Sequence, residues 1–242
     1  MQVVVLAGGL GQRMAPATET SPKYLLEVAG RPFADHQLAW LAAEGVTEVV
    51  LSIGHLGELI REHVGDGSRW GLRVRYTDEG VELRGTGGAL RLALDEGLLA
   101  SEFGVLYGDS YLELAVARVF DDFHAREAEA LMCALANRGR WDASNAEVSG
   151  GWVVRYEKGV ADPAAAGLDH IDYGFSVLRR EVIEELVPAG EVVDLAKVYA
   201  TLARQHRLAA HEVEERFYEV GSAQGLAELD EMLRRKHAES TW

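Results

Sequence analysis

The sequence predicts an α/β protein built on a mostly parallel sheet, and three observations carry this prediction. Over residues 1–137, short apolar stretches alternate with stretches whose apolar residues recur at helical spacing. Glycine-rich segments follow several apolar stretches, as they do at the carboxyl edge of parallel sheets. Beyond residue 137 the pattern changes, and the Ser-Gly-Gly at 149–151 is a hairpin signal. The 242 residues therefore predict one domain, 1–242, with halves at 1–137 and 138–242, the second containing a small β-rich excursion.

Strands and helices alternate in the first half. Met1–Leu6 is short, apolar and β-branched, which is typical of a buried parallel strand. Ala34–Glu44 carries Leu38 and Leu41 at helical spacing, and Gly45 ends it. Further strands are predicted at Val46–Ile53, Leu72–Thr77, Phe103–Tyr107 and Ala130–Ala136, and further helices at Leu56–Val64, Thr86–Leu94 and Leu114–Arg126. This alternation predicts right-handed crossovers between parallel strands.

The second half is richer in predicted strands than in helices. Strands are predicted at Ala146–Val148, Trp152–Tyr156, Ile171–Leu178, Leu208–Val213 and Arg216–Val220, and helices at Val182–Leu186, Leu195–Gln205 and Gln224–His237. The alanine-rich segment Gly159–Gly167 is either a mobile loop or an ordinary surface connection.

Charge and cysteine content exclude several classes of protein. The formal net charge of −15 argues against a nucleic-acid or anionic-membrane surface, although Mg²⁺ could still bring a nucleotide into a local site. The single cysteine, Cys133, lies in an apolar run and is better explained as a buried strand residue than as a catalytic thiol. The sequence shows neither a signal peptide nor a run of about 20 apolar residues, so a cytoplasmic protein is expected.

A glycine-rich segment directly follows the first predicted strand. Gly8, Gly9 and Gly11 could bring backbone amides close to a phosphate, but a tight structural turn explains glycines alone equally well. The segment matches neither the dinucleotide fingerprint nor the P-loop. Arg13 can hold a phosphate bidentately, and Lys23 is aimed by the preceding proline. Together these residues suit a triphosphate that is attacked at its α-phosphorus.

Two further motifs contain polar residues at positions suited to ligands. Thr86 opens a predicted helix as a plausible N-cap, with Gly87 and Gly88 allowing a ligand to lie against the helix start. Asp109 follows the fourth predicted strand at the carboxyl edge of the sheet, where it would suit Mg²⁺ bridging phosphate oxygens. Capping of the helix and of a turn are the purely structural alternatives.

Residues 6–33, LAGGLGQRMAPATETSPKYLLEVAGRPF, resemble the signature of the nucleoside-diphosphate-sugar pyrophosphorylases, G-G-x-G-T-R-[LM]-x-P-x-T followed by P-K. This resemblance implies a Rossmann-like three-layer α/β/α nucleotidyltransferase domain that joins an NTP to a sugar 1-phosphate and releases pyrophosphate. It implies catalytic roles for Arg13, Lys23 and Asp109. It implies nucleotide contacts for Leu6, Ala7, Gly8, Gly9, Gly11, Gln12, Arg13, Thr86, Gly87 and Gly88. Gln12 departs from the family, which usually has threonine there.

The same resemblance implies a metal site and an acceptor site. Mg²⁺ would be held by Asp109 and by Glu219, which falls where the family has a second metal aspartate, although a surface glutamate is the alternative. The segment 155–158 resembles the family's Glu-Lys pair, in which Glu157 would accept from sugar hydroxyls and Lys158 would meet the sugar phosphate. Asn145, Tyr173 and Gly174 complete the predicted sugar-phosphate site.

The segment at 84–90 and that at 49–56 resemble heptose-1-phosphate guanylyltransferases, which makes GTP and a heptose or hexose 1-phosphate the first expectation. Two alternatives stay open. One is a cytidylyltransferase for a phospho-alcohol such as phosphocholine, with Trp141 and Trp152 contributing to an amine cage. The other is a catalytically silent regulatory or binding subunit, motivated by Gln12 and Glu219. The expected partners are the NTP and the sugar 1-phosphate, with no nucleic acid and no membrane, and a homodimer is left open.

Overall fold

The structure, a computed structural model, describes residues 1–11, 14 and 18–239. Its strands are β1 (Gln2–Leu6), β2 (Glu27–Val28), β3 (Arg31–Pro32), β4 (Glu48–Ile53), β5 (Arg73–Asp78), β6 (Glu102–Tyr107), β7 (Ser110–Tyr111), β8 (Ala130–Ala136), β9 (Ala146–Ser149), β10 (Trp152–Tyr156), β11 (His170–Arg179), β12 (Leu208–Val213) and β13 (Tyr218–Glu219). Its α-helices are α1 (Phe33–Ala43), α2 (Gly57–Val64), α3 (Gly85–Asp95), α4 (Val116–Ala125), α5 (Arg180–Leu186), α6 (Leu195–Arg204) and α7 (Ala223–Glu239).

Nine of these strands form one twisted layer in the order β5-β4-β1-β6-β11-β8-β12-β10-β9. The first four are parallel, as the alternation of strands and helices predicts. Strand β11 runs antiparallel to both of its neighbours β6 and β8, and β12 returns parallel to β8. The predicted β-rich excursion is therefore a continuation of the same sheet, in which β9 and β10 form an antiparallel hairpin and β9 also pairs with β11. The sheet is mixed because its second half is not built only from strand–helix–strand crossovers.

Helices cover both faces of the sheet, which confirms the predicted three-layer α/β/α fold. Residues alternate along each strand, so that Val3 and Val5 join one apolar cluster and Val4 joins the other. The first cluster includes side chains of α1, α2, α4 and α7, and the second includes side chains of α3, α5 and α6. Cys133 of β8 is fully buried in the first cluster, and burial raises the pKa of its thiol. The interpretation as a core residue is confirmed, because a buried protonated thiol is unreactive.

One predicted strand is much shorter in the structure. Of Arg216–Val220, only Tyr218–Glu219 pairs, and its partner is the two-residue strand β7 rather than the main sheet. A short β2–β3 hairpin, absent from the prediction, precedes α1. Among the described residues, no helix is long and apolar enough to cross a bilayer.

Candidate active site

The carboxyl ends of the four parallel strands β5, β4, β1 and β6 line one edge of the sheet. A cavity of about 300 Å³ runs along this edge. It is lined by Leu6, Ala7, Gly8, Gly9, Lys23, Tyr24, Ser52, Glu79, Leu83, Gly85, Thr86, Ala89, Tyr107, Gly108 and Asp109. Ligands of open α/β sheets bind at this edge, so we refer to this space as the nucleotide cavity.

The glycine-rich loop forms one wall of the nucleotide cavity. Gly8 has no room for a side chain, because a Cβ there would lie 3.0 Å from Oε1 of Glu79. Gly11 has a φ of +63°, a left-handed conformation that favours glycine, and its carbonyl accepts from the Thr18 hydroxyl at 2.9 Å. Gln12 and Arg13 lie outside the described residues, so their predicted roles stay predictions.

Lys23 and Asp109 meet at one end of the nucleotide cavity, as the sequence predicts. Lys23 follows extended Pro22 in a short 3₁₀ turn, and its Nζ donates to Oδ2 of Asp109 at 2.7 Å. Asp109 is held there by the close approach of two strand ends. The Gly108 amide donates to the Leu6 carbonyl at 3.0 Å, and a Cβ on Gly108 would lie only 2.5 Å from that oxygen. The resulting ion pair is largely shielded from solvent.

Asp109 also lines a second cavity, of about 320 Å³, which we call the acceptor cavity. Four other predicted residues line it with Asp109 and Glu219: Asn145, Lys158, Tyr173 and Gly174. The structure therefore brings these four sugar-phosphate candidates together, beside the predicted metal carboxylates. Because the nucleotide and acceptor cavities share Asp109, ligands in the two cavities would meet at this side chain.

The ribbon formed by β7 and β13 places Glu219 beside Asp109. Glu219 pairs with Ser110 across this ribbon, and the Val220 amide donates to the Asp109 carbonyl at 2.9 Å. The described residues contain no group of three or more His, Cys, Asp or Glu side chains arranged to hold a metal. Two carboxylates nevertheless fit Mg²⁺, which is commonly bound through one or two carboxylates with substrate phosphates and water.

Glu157 does not reach the acceptor cavity. It lines a neighbouring cavity of about 860 Å³, where its carboxylate accepts from Arg155 at 2.6 Å. Lys158, the next residue, lines both this cavity and the acceptor cavity. The Glu-Lys pair is split because neighbouring residues at the end of an extended strand turn to different sides.

Thr86 lines the nucleotide cavity, but the prediction that it caps its own helix is wrong. Helix α3 begins at Gly85, and the Thr86 hydroxyl instead accepts from the Leu195 amide at 2.8 Å, at the start of α6. The amides of Gly87 and Gly88 donate to the Val193 carbonyl at 2.8 and 3.1 Å. These two glycines are buried behind the cavity wall, where they allow the segment before α6 to approach closely.

Three carboxylates that line these cavities are not among the predicted site residues: Glu79, Asp142 and Asp172. Glu79 follows β5 and lines the nucleotide cavity. The sequence could have indicated Glu79, because it is an acidic residue that directly follows a parallel strand, which is the pattern that selects Asp109. Asp172 lines the acceptor cavity and accepts from the hydroxyls of Tyr107 and Tyr156 at 3.2 and 3.1 Å. Burial raises the pKa of Asp172, while the nearby charge of Lys158 acts to lower it.

The two tryptophans considered for an amine cage are not brought together. Trp141 lies beside the acceptor cavity, with the Arg216 guanidinium 4.3 Å from its ring centroid. Trp152, in β10, packs against the apolar cluster on one face of the sheet. The structure therefore does not support a cage built from these two rings.

Comparisons with known proteins show sequence relatives of the chain. The chain is 29% identical over 231 residues to N-acetylmuramate alpha-1-phosphate uridylyltransferase of Neisseria meningitidis serogroup B, covering 94% of this chain and 96% of the relative. It is 30% identical over 204 residues to mannose-1-phosphate guanylyltransferase of Mycobacterium tuberculosis, covering 84% of this chain and 55% of that protein.

A solved structure shares the fold over nearly the whole chain. The crystal structure of HddC from Yersinia pseudotuberculosis, complexed with GMP-PN, superposes with a TM-score of 0.78 at 23% identity, covering 96% of this chain and 99% of HddC.

The protein-family model described as "Nucleotidyl transferase" matches residues 2–144, the region that contains β1, the glycine-rich loop, Lys23 and Asp109. The chain belongs to the nucleotidyl transferase family.

Proposed function

We propose that the protein transfers a nucleotidyl group from an NTP to a sugar 1-phosphate, giving an NDP-sugar and pyrophosphate. The observation that carries this proposal is that the nucleotide and acceptor cavities meet at the Lys23–Asp109 pair. The relatives named above are sugar-1-phosphate uridylyl- and guanylyltransferases. Both names describe a reaction between a nucleotide and a sugar 1-phosphate, and two adjoining cavities suit two such substrates. GTP and a heptose or hexose 1-phosphate are the specific substrates that we propose.

In the proposed reaction a phosphate oxygen of the sugar 1-phosphate attacks the α-phosphorus of the NTP. A new P–O bond forms there, the bond between the α-phosphorus and its bridging oxygen to the β-phosphorus breaks, and pyrophosphate leaves with the electron pair. Lys158 holds the acceptor phosphate, and the Lys23 ammonium faces the charge that develops between the two cavities. This chemistry depends on positioning and electrostatic stabilisation, so it needs no covalent nucleophile.

Mg²⁺ is the cofactor that we propose, with Asp109 and Glu219 as its protein ligands. When bound, the ion would offset the negative charge of the phosphates. Asp109 is now paired with Lys23, which compensates its negative charge inside the protein. Hard carboxylate oxygens at the junction of the two cavities are the donor set that such an ion prefers.

The test is pyrophosphate release by the purified protein with Mg²⁺, each NTP and a panel of sugar 1-phosphates, with phosphocholine plus CTP as one arm. We expect release with at least one sugar 1-phosphate and a loss of about 10²-fold or more in kcat for Asp109→Asn, because a preorganised charge at the reacting centre is removed. The matched control is Asp121→Asn, on exposed α4 surface, which should retain activity. Release only with phosphocholine, or none with any pair, would contradict the proposal.

A further inference from the structure

Helix α1 carries a fully buried polar side chain, Gln37, that the proposed reaction does not use. Phe33 and Leu41, four residues before and after it, lie on the same face of the helix and are equally buried. Gln37 therefore interrupts an apolar stripe. A buried amide is costly unless it is hydrogen-bonded, so its partners indicate the role of this side chain.

The partners of Gln37 are two backbone carbonyls on either side of Asp109. Its Nε2 donates to the Ser110 carbonyl at 2.8 Å and to the Tyr107 carbonyl at 3.2 Å. Between these residues lies the turn Gly108-Asp109, which joins β6 to β7. One amide group thus holds both ends of the turn. Among the described residues its own Oε1 has no hydrogen-bond partner, a cost that an apolar side chain would avoid, so the two donated hydrogen bonds account for an amide at this position.

The same face of α1 also supports the segment that carries Lys23. Phe33, one helical turn before Gln37, lies edge-on to the ring of Tyr24, with the ring centroids 6.1 Å apart. Tyr24 directly follows Lys23 and is almost completely buried. Consecutive turns of one helix therefore hold the two backbone segments whose side chains form the Lys23–Asp109 ion pair.

We propose that Gln37 is a positioning residue, which sets where the Asp109 carboxylate stands at the junction of the nucleotide and acceptor cavities. This inference rests on the proposed function, because Gln37 acts on that reaction through Asp109. Gln37 is not among the described residues that line either cavity, so it has no contact with substrate to offer. The other backbone contacts of the turn, from the Gly108 amide to the Leu6 carbonyl and from the Val220 amide to the Asp109 carbonyl, come from β1 and from the end of β13. Helix α1 supplies a third, independent anchor.

The rival explanation is that Gln37 only stabilises the packing of α1. Replacing it would then lower the free energy of unfolding without a particular effect on the turn or on Asp109. The two explanations are separated by kinetics and by a measurement that is local to the turn.

The decisive variant is Gln37→Met, which keeps the length of the side chain but removes both the donor and the unpaired oxygen. Because a displacement of about 1 Å at a reacting centre can cost about 10²-fold in rate, we expect kcat to fall by about 10- to 100-fold. The Mg²⁺ concentration for half-maximal rate should rise, since a proposed ligand is displaced, while KM for the NTP should change little. Leu41→Met is the matched control, because it alters the same buried face without touching the turn, and it should leave kcat and the Mg²⁺ dependence unchanged.

Amide hydrogen exchange reports on the turn without any turnover. In Gln37→Met the amides of Gly108 and Val220, which tie the turn to its neighbours, should exchange about 10-fold faster, the effect of losing one hydrogen bond of ordinary strength. The amides of β4, two strands away from β6 in the sheet, should exchange as in the wild type.

Equal acceleration of exchange throughout the sheet would indicate a general loss of stability and would overturn the assignment. Lower stability to urea with kcat and Mg²⁺ dependence unchanged would overturn it as well. If the wild-type protein turns over no pair of substrates, the proposed reaction fails, and exchange at Gly108 and Val220 still decides whether Gln37 positions the turn that carries Asp109.

Discussion

At the scale of single residues, the side chain of Asp172 in the acceptor cavity accepts three hydrogen bonds. Its Oδ2 accepts from Tyr107 and Tyr156, and its Oδ1 accepts from the Gly174 amide at 3.1 Å. Burial raises the pKa of both tyrosine hydroxyls, so they remain protonated donors at neutral pH. Asp172 thus anchors two rings and the irregular stretch of β11 at the acceptor cavity, and Lys158 provides a nearby opposite charge.

The raised pKa of Asp172 has a consequence for stability. A carboxyl group whose folded pKa exceeds its unfolded value contributes stability that is fully present below the unfolded pKa, about 4, and lost as the pH rises through the folded value. Asp172→Asn removes this titration. Urea unfolding from about pH 4 to pH 7 should therefore show the variant gaining stability relative to wild type as pH rises. Exposed Asp121→Asn is the control, and a difference independent of pH would contradict this account.

At the scale of single residues, the sequence predicts some of the side chains that lie together at the site and misses others. The Lys23–Asp109 pair could be predicted, because Pro22 orients Lys23 and because Asp109 follows a parallel strand at the carboxyl edge of the sheet. Glu79 was overlooked although it follows a strand in the same way. Glu157 lines the neighbouring cavity rather than the acceptor cavity, and spacing along the chain does not reveal which side of a strand end a side chain takes.

At the scale of elements, helices α3 and α6 are fastened to each other at their amino-terminal ends. Asp194 caps α6 by accepting from the Ala196 amide at 2.8 Å, and Thr86 of α3 accepts from the Leu195 amide. Two of the free amides at the start of α6 are thereby satisfied, one of them from a different helix. Thr86 consequently links the wall of the nucleotide cavity to the second half of the chain.

Thr86→Val tests this link. The substitution keeps the shape of the side chain but leaves the Leu195 amide without its acceptor, so the free energy of unfolding should fall by about 1 kcal/mol. Urea denaturation measures the change. Thr201→Val is the matched control, because that hydroxyl donates to a carbonyl within α6 itself, and it should lie within about 0.5 kcal/mol of wild type. An unchanged stability in Thr86→Val would show that the cap contributes nothing.

Most elements could be predicted because apolar periodicity is strong in this chain. The strands of the parallel half are continuous apolar runs, and such runs can be recognised as buried strands from the sequence. The segment 216–220 was predicted as a full strand because aromatic and β-branched residues favour extended backbone. Its actual length is set by its partner β7, which is only two residues long, and such a long-range pairing cannot be read from local sequence.

On the scale of the whole molecule, the two halves of the chain interlock in one sheet. Strand β8 belongs to the first half, yet both of its neighbours, β11 and β12, come from the second. Strand β6 likewise pairs with β11 on one side. Residue 137 thus divides two sequence patterns, but strands from the two sides of this boundary are hydrogen-bonded to each other at several places in the sheet.

We therefore predict that residues 1–137 do not fold when expressed alone. The fragment would expose β8 and one side of β6 without partners, while the intact chain should unfold in a single transition. Urea titrations followed by far-ultraviolet circular dichroism and by tryptophan fluorescence test both statements. Coincident curves for the intact chain and no cooperative curve for the fragment are expected. A fragment with its own sharp transition would show that the halves are independent domains.

Strand β5 is an outer strand of the sheet and is poorly suited to recruiting another chain, whereas β9, at the other end of the strand order, pairs with β10 and also with β11. Strand β5 carries Arg73 and Arg75, which pair with Glu48 on β4 and place charge along that edge. At the other end of the strand order, β9 is only four residues long and is also paired with β11. Short strands and charged side chains are known defences against edge-to-edge aggregation. In a concentrated solution, copies of this protein would meet through their side chains rather than by extending one another's sheet into fibrils.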